Sequence, residues 1–181
     1  MEVLRTISLY SEAHNVKFIV IGGQAINYYG LSRQTGDLDI VVNASDRDWW
    51  SQTFARLKYS LGQNDQHFAR YRHQELLGWP IDLMFVDPVT FDKLLRDALP
   101  ATIGVADVRV ISSRHLLLLK LHALRHYQEH RFAKDYNDVL WLIDLPNSCV
   151  SDSELRAMCD KYACQAVYER LIDDRAKNKA S

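Results

Sequence analysis

The feature that most constrains the fold of this chain is an apolar strand that ends in two consecutive glycines. Residues Phe18 to Ile21 form a continuous apolar run rich in β-branched side chains, which is typical of a buried strand. Gly22 and Gly23 follow directly, and without a Cβ they let the backbone turn tightly and approach a ligand. Gln24 to Tyr29 then predicts a short helix whose first N–H groups lack partners and favour phosphate.

A second strand follows and carries two carboxylates. In the segment Asp37 to Asn43, alternation places Asp37 and Asp39 on one face and Leu38 and Ile40 on the other. Carboxylates at this spacing lie about 7 Å apart along the strand, and they repel each other unless cations lie between them. Mg²⁺ is the expected cation, because it prefers hard oxygen ligands and completes its octahedron with substrate phosphates.

A third acid lies on a later segment of strand composition. Ile81 to Val86 follows a turn-like Gly78-Trp79-Pro80 and carries Asp82 near its start. If this strand lies beside the one that carries Asp37 and Asp39, the three aspartates form a two-metal phosphoryl-transfer site. The alternative is that Asp82 is an exposed edge residue. Asp87 precedes Pro88 and is better interpreted as a helix cap.

Composition and charge indicate a small α/β protein. A chain of 181 residues buries about 70% of its unfolded surface. Its net charge of −1 provides no global field for nucleic acid, so an RNA substrate requires a local basic patch. The three cysteines, including Cys149, are too few and too irregular for a disulfide framework or a zinc site. Because no signal peptide and no membrane-spanning apolar run is present, the expected location is the cytoplasm, without membrane association.

Strands and helices alternate along the first part of the chain, and the pattern becomes helical after Ser112. The sequence predicts an α/β (α+β) fold with a mixed β-sheet flanked by helices, followed by a C-terminal helical region. We expect a catalytic core over residues 1–111 and a helical region over 112–181 that completes the active-site cleft. Ser45 is expected to cap a helix that carries Trp49 and Trp50.

These motifs together resemble a known superfamily. Gly22-Gly23, followed after thirteen residues by Asp37-Leu38-Asp39 and later by Asp82, resembles nucleotidyltransferases of the polymerase β type. The fuller string GGQA…YG…RxTxDLDI is similar to the minimal nucleotidyltransferases related to abortive-infection Eii (AbiEii) toxins. Lys120 and the segment Lys134 to Asp138 add to that resemblance, which spans residues 16–145. Many superfamily members have Gly-Ser where this chain has Gly22-Gly23, so backbone N–H groups replace that hydroxyl here.

The resemblance implies roles for individual residues. The implied metal ligands are Asp37, Asp39 and Asp82, with Mg²⁺ or Mn²⁺ as cofactor, and Asp82 also serves as the base. The implied catalytic set adds Lys120, as a cation that neutralises triphosphate charge, and Asp135. The residues implied to bind the NTP, with ATP included, are Gly22, Gly23, Arg33, Thr35, Lys120 and Lys134.

Plainer interpretations stay open for several of these side chains. Arg33 and Thr35 fit an ordinary polar loop, and Lys120 fits a long side chain that reaches solvent from an apolar helix. Lys134, Asp135 and Asp138 fit a solvated helix surface, although the two acids share a face and one of them can position Lys120 or Lys134.

Histidines recur at every fourth residue of the same region. His122, His126 and His130 share a helix face, but without HExxH and beside arginines they indicate a basic surface rather than a zinc site. That face is either a candidate groove for an RNA or protein substrate or an ordinary solvated surface. Its further members are Arg114, Arg125, Tyr127, Arg131, Lys134 and Tyr136.

The sequence predicts an enzyme that transfers NMP from an NTP to an acceptor hydroxyl and releases pyrophosphate. By resemblance, the acceptor is the 3′ end of a tRNA, and the protein is the toxin of a toxin–antitoxin pair with a cognate antitoxin. The first alternative is NMP transfer to a protein hydroxyl, as in AMPylation. The second is a non-catalytic module that binds an NTP or a partner.

Overall fold

The computed structural model describes residues 2–75, 78–126, 129–146 and 150–180. The chain divides into two compact units, one that ends at Ser112 and one that begins at Ser113. Within the described residues, none of the helices combines the length and apolar character needed to cross a membrane.

The first unit is an α/β structure. Its helices are α1 (Glu2–Ala13), α2 (Gly22–Tyr28), α3 (Arg47–Arg56) and α4 (Pro88–Asp97). Its strands are β1 (Phe18–Val20), β2 (Leu38–Asn43), β3 (Tyr59–Asn64), β4 (Phe68–His73), β5 (Ile81–Val86), β6 (Leu99–Ile103) and β7 (Ala106–Val110).

The seven strands form one mixed sheet in the order β3-β4-β5-β2-β1-β7-β6. β2 pairs with β5, and β1 with β7, in parallel, whereas the other neighbouring pairs are antiparallel. The central strands are β-branched and buried, as the apolar runs in the sequence require. The predicted mixed sheet with flanking helices is confirmed.

An aromatic cluster anchors α3 on one face of this sheet. Trp50 and Phe54 are fully buried, with ring centroids 5.7 Å apart. Trp50 meets Phe18 of β1 edge-on at 6.0 Å, and Phe54 lies 4.7 Å from Tyr71 of β4. Tyr71 is thus on the core side of β4, and its neighbours in the strand point to the opposite face.

The second unit is helical. It consists of α5 (Ser113–Arg125), α6 (Glu129–Ile143), α7 (Asp152–Tyr162) and α8 (Gln165–Ala180). Its apolar core comes from leucines of α5, such as Leu117 and Leu121, with Val139 of α6 and Leu155 of α7. A capping box between Ser151 and Glu154 begins α7.

Two local expectations are wrong, and two strands are found that the sequence does not predict. The glycine pair lies inside the first turn of α2, which begins at Gly22 rather than at Gln24. Ser45 does not cap a helix: the Asn43 side chain accepts from the Ser45 N–H, and a short 3₁₀ turn (Ala44–Asp46) precedes α3. The edge strands β3 and β6 were not predicted, because β3 is exposed beyond Tyr59 and β6 contains a proline.

Candidate metal and nucleotide site

Three carboxylates converge on one face of the sheet. Asp39 of β2 and Asp82 of β5 are register partners on adjacent parallel strands, and Asp37 immediately precedes β2. One carboxylate oxygen from each lies within 4.8 Å of the others. This is closer than the spacing of about 7 Å expected along a strand. Asp82 is 6% exposed on a strand that has neighbours on both sides, so it is not an exposed edge residue.

The cluster fits a divalent cation by its chemistry. All of its ligand atoms are carboxylate oxygens, the hard donors that Mg²⁺ and Mn²⁺ prefer. Carboxylates grouped in this way would hold such ions, as the carboxylates of two-metal phosphoryl-transfer sites do. Asp37 and Asp39 are half-buried, so the cluster combines a fixed inner acid with two acids that solvent reaches.

Arg70 of β4 is a site residue that sequence reasoning missed. It is the register partner of Asp82, and its Nε donates to Asp82 Oδ1 at 2.7 Å while Nη2 donates to Oδ2. This two-pronged hydrogen bond raises the pKa of Arg70, against a smaller opposing effect of burial, and attraction by all three aspartates adds to the rise. The pairing holds the plane of the Asp82 carboxylate in one orientation.

The glycine pair lies beside the acids, with Gly22 directly against Asp39. Gly22 has φ of +60°, and a Cβ built there would overlap the Asp39 carboxylate. The Ile21 N–H donates to the Asp39 carbonyl at 3.0 Å and fixes the turn beside β2. A side chain at position 22 is therefore excluded both by the backbone conformation and by the neighbouring acid.

The loop before β2 reaches the same place. A Cβ built on Gly23 would lie 2.5 Å from Thr35 Oγ1, and that hydroxyl donates to Asp37 Oδ1 at 3.0 Å. The Arg33 N–H donates to the Asn27 side chain at 3.0 Å, which ties the loop to α2. The structure thus brings together Gly22, Gly23, Thr35 and the three aspartates.

Lys120, Asp135 and Asp138 form a cluster inside the second unit. Lys120 Nζ lies 2.5 Å from Asp135 Oδ1 and 2.8 Å from Asp138 Oδ2. Lys120 is 8% exposed, so it does not extend to solvent, and both acids are buried as well. The two acids stand one helical turn apart on α6. Lys134 is exposed.

The histidine row makes no metal cluster among the residues that the structure describes. His122 and His126 are exposed, with ring centroids 4.9 Å apart, whereas the His130 side chain and Tyr127 lie outside the described parts. Arg114 pairs with Glu154 at 3.3 Å, and Arg125 donates to the Lys161 carbonyl at 3.2 Å. In the described chain, only the aspartate cluster groups three or more such metal-binding side chains.

The cysteines do not alter this picture. Cys159 is buried and free, and Cys164 is exposed and free, whereas Cys149 lies outside the described residues. Burial raises the pKa of the Cys159 thiol to about 12.

Comparison with known proteins finds similar solved structures, but neither a protein-family model nor a curated protein sequence matches the chain. An antigenic nucleotidyltransferase-like protein from Paracoccidioides brasiliensis is similar in structure, with a TM-score of 0.63 and 16% identity over 99% of this chain and 89% of the other. The antibiotic-resistance factor ANT(2″)-Ia, solved with adenylyl-2″-tobramycin, has a TM-score of 0.62 and 12% identity over 88% of this chain and 91% of its own.

The lincosamide antibiotic adenylyltransferase LnuA, solved with lincomycin, gives a TM-score of 0.57 at 16% identity, over 77% of this chain and 94% of that protein. The resemblance to AbiEii-type proteins stays a prediction from sequence motifs. At these identities the likeness concerns the architecture alone. The chain has the fold of the nucleotidyltransferases.

Proposed function

We propose that this protein is a metal-dependent nucleotidyltransferase that transfers NMP from an NTP to an acceptor hydroxyl. The observation that carries the proposal is the convergence of Asp37, Asp39 and Asp82 within 4.8 Å, beside a glycine turn that packs against Asp39. Solved proteins of the same fold include antibiotic adenylyltransferases, which supports this reaction class.

The three aspartates would hold Mg²⁺ or Mn²⁺. When bound there, the ions would neutralise charge on the phosphate oxygens and stabilise the attacking and leaving oxygens. The acids themselves are already aligned by the protein: Arg70 fixes the Asp82 carboxylate, Thr35 contacts Asp37, and Gly22 abuts Asp39. Such prior alignment avoids reorganisation during the reaction.

The transfer itself forms one bond and breaks another. The acceptor oxygen attacks the α-phosphorus, the bond from that phosphorus to the bridging oxygen breaks, and pyrophosphate leaves with the electron pair. We assign the hydroxyl proton to Asp82. Its two oxygens accept from Arg70, but each carboxylate oxygen retains a further lone pair for a proton or a metal ion.

The triphosphate would lie at the Gly22-Gly23 turn. The glycines let the backbone pack closely on Asp39 and Thr35, which places this turn beside the acids. Arg33 and Thr35, in the loop before β2, are proposed as further nucleotide contacts. The resemblance assigns Lys120, Lys134 and Asp135 to the same reaction, and the burial of Lys120 between two acids supports a rigidly held charge at that position.

The acceptor that we propose first is the 3′ end of a tRNA, in a toxin with a cognate antitoxin, because the motif string resembles AbiEii-type proteins. A protein hydroxyl is the alternative that the same reaction allows. A small-molecule hydroxyl is a further candidate, since two proteins of similar fold are antibiotic-modifying enzymes whose structures hold lincomycin and adenylyl-2″-tobramycin.

The test is label transfer from each α-³²P-labelled NTP in the presence of Mg²⁺. Total tRNA, cell protein, lincomycin and tobramycin are supplied separately, and the Asp37→Ala variant is run beside the wild type. Asp92→Ala is the matched control, because Asp92 is an exposed aspartate on α4. Label on tRNA supports the toxin assignment, and label on protein or antibiotic selects another acceptor. If the protein binds NTP but no mixture shows label transfer that is lost in Asp37→Ala, the transferase is refuted. The protein would then be a module that only binds the nucleotide.

A further inference from the structure

Thr35 fills the space that a side chain at position 23 would need. A Cβ built on Gly23 lies 2.5 Å from Thr35 Oγ1, 2.7 Å from its Cβ and 3.4 Å from its Cγ2. The backbone of Gly23 is not in the left-handed region, so the limit at this position comes from Thr35. In contrast, Gly22 is restricted by its own φ of +60°.

The same side chain reaches a metal-site aspartate. Thr35 Oγ1 donates to Asp37 Oδ1 at 3.0 Å, and its distance to the Asp37 carbonyl is longer, at 3.4 Å. A loop hydroxyl commonly bonds the backbone near it, whereas here the shorter contact is to a carboxylate that belongs to the cluster. Thr35 is half-buried, which limits competition from water for this hydrogen bond.

We propose that Thr35 is a positioning residue: it orients Asp37 for metal binding and sets the distance between the glycine turn and the metal site. This inference rests on the proposed function. Threonine suits the role because branching at Cβ restricts χ1, so contact with Gly23 on one side fixes where the hydroxyl points on the other. Position 23 must then be glycine, because Thr35 leaves no room for a side chain there.

The role of the Thr35 hydroxyl is tested by measuring Mn²⁺ binding to the whole protein without nucleotide. Electron paramagnetic resonance detects the free and bound Mn²⁺. Groups that orient a metal ligand typically change metal affinity by about 10–100-fold when removed. We expect Thr35→Val to raise the Mn²⁺ dissociation constant about tenfold, while Thr35→Ser, which keeps the hydroxyl, stays within about threefold of wild type. Asp37→Asn is the reference variant that removes the ligand itself.

The outcomes separate the inference from the proposed function. Mn²⁺ binding that is unchanged in Asp37→Asn would overturn the metal site, and the role of Thr35 with it. Binding that is weakened in Asp37→Asn but equal to wild type in Thr35→Val would overturn only the role of Thr35. A loss of equal size in Thr35→Val and Thr35→Ser would also overturn it, because the hydroxyl would then not be the cause.

The steric half of the inference is tested by exchanging the two volumes. Gly23→Ala is expected to lower the melting temperature, because the three nearest neighbours of the new Cβ belong to Thr35. Thr35→Gly removes those three atoms, so Gly23→Ala is expected to cost less in the Thr35→Gly background than in wild type. An equal cost in both backgrounds would show that the two residues are not in contact and would refute the spacing role.

Discussion

Replacing Lys120 with methionine is expected to destabilise the second unit strongly. Methionine matches the unbranched shape of lysine, so the change removes the charge with little loss of volume. The lysine side chain is 10% exposed, and its partners Asp135 and Asp138 are 9% and 1% exposed. The variant therefore leaves two carboxylates buried side by side without their shared cation.

Removing one partner of a buried ion pair costs about 3–5 kcal/mol, because the remaining charge stays desolvated. Two acids remain here, so we expect the free energy of unfolding to fall by at least that amount. This is a large fraction of the roughly 5–15 kcal/mol that stabilises a typical domain. Lys120→Met/Asp135→Asn/Asp138→Asn is expected to be more stable than Lys120→Met, since the two side chains on α6 then carry no buried negative charge.

Urea denaturation followed by circular dichroism gives the free energy, and hydrogen exchange of peptides from α5 and α6 locates the loss. Lys134→Met is the matched control, because Lys134 is exposed on α6 and its replacement is expected to change stability by less than about 0.5 kcal/mol. A free energy for Lys120→Met within about 1 kcal/mol of wild type, below the range for a broken buried pair, would refute the argument.

Three further predictions concern other parts of the chain. Gly22→Ala is expected to cost at least about 1–2 kcal/mol of stability from its left-handed backbone alone, measured by urea denaturation, and to weaken Mn²⁺ binding. In a Cys149→Ser background, a thiol reagent is expected to modify Cys164 at once and Cys159 only after denaturation, because burial raises the pKa of the Cys159 thiol to about 12. Asp87 caps α4 through hydrogen bonds that hold its pKa below the ordinary 3.8, so its contribution to stability is present above that pH and is lost as pH falls through the lower folded value. The gap in melting temperature between wild type and Asp87→Ala should accordingly narrow below about pH 4, whereas a constant gap would contradict the role as an ionised cap.

The central strands could be predicted because their sequences are apolar and β-branched over their whole length. We can predict strands at Phe18 to Ile21 and at Ile81 to Val86 without knowing which strands pair with them. Alternation of side chains alone assigns Asp37 and Asp39 to one face. The contact of Lys120 with the acids of α6 follows less directly. The sequence shows that Asp135 and Asp138 share a helix face, but the packing of α5 on α6 decides which lysine meets them.

Arg70 could not be assigned from the sequence, because its role depends on strand register. The segment around it is recognisably a strand, yet Arg70 meets Asp82 only because β4 pairs with β5 so that these two residues are opposite. A shift of one residue would bring Tyr71 opposite Asp82 and turn the apolar side of β4 toward the acids. The buried contact of Tyr71 with Phe54 opposes that shift, since it holds Tyr71 on the core face. Core packing on one face of β4 thus selects the residue that orients a metal-site aspartate on the other.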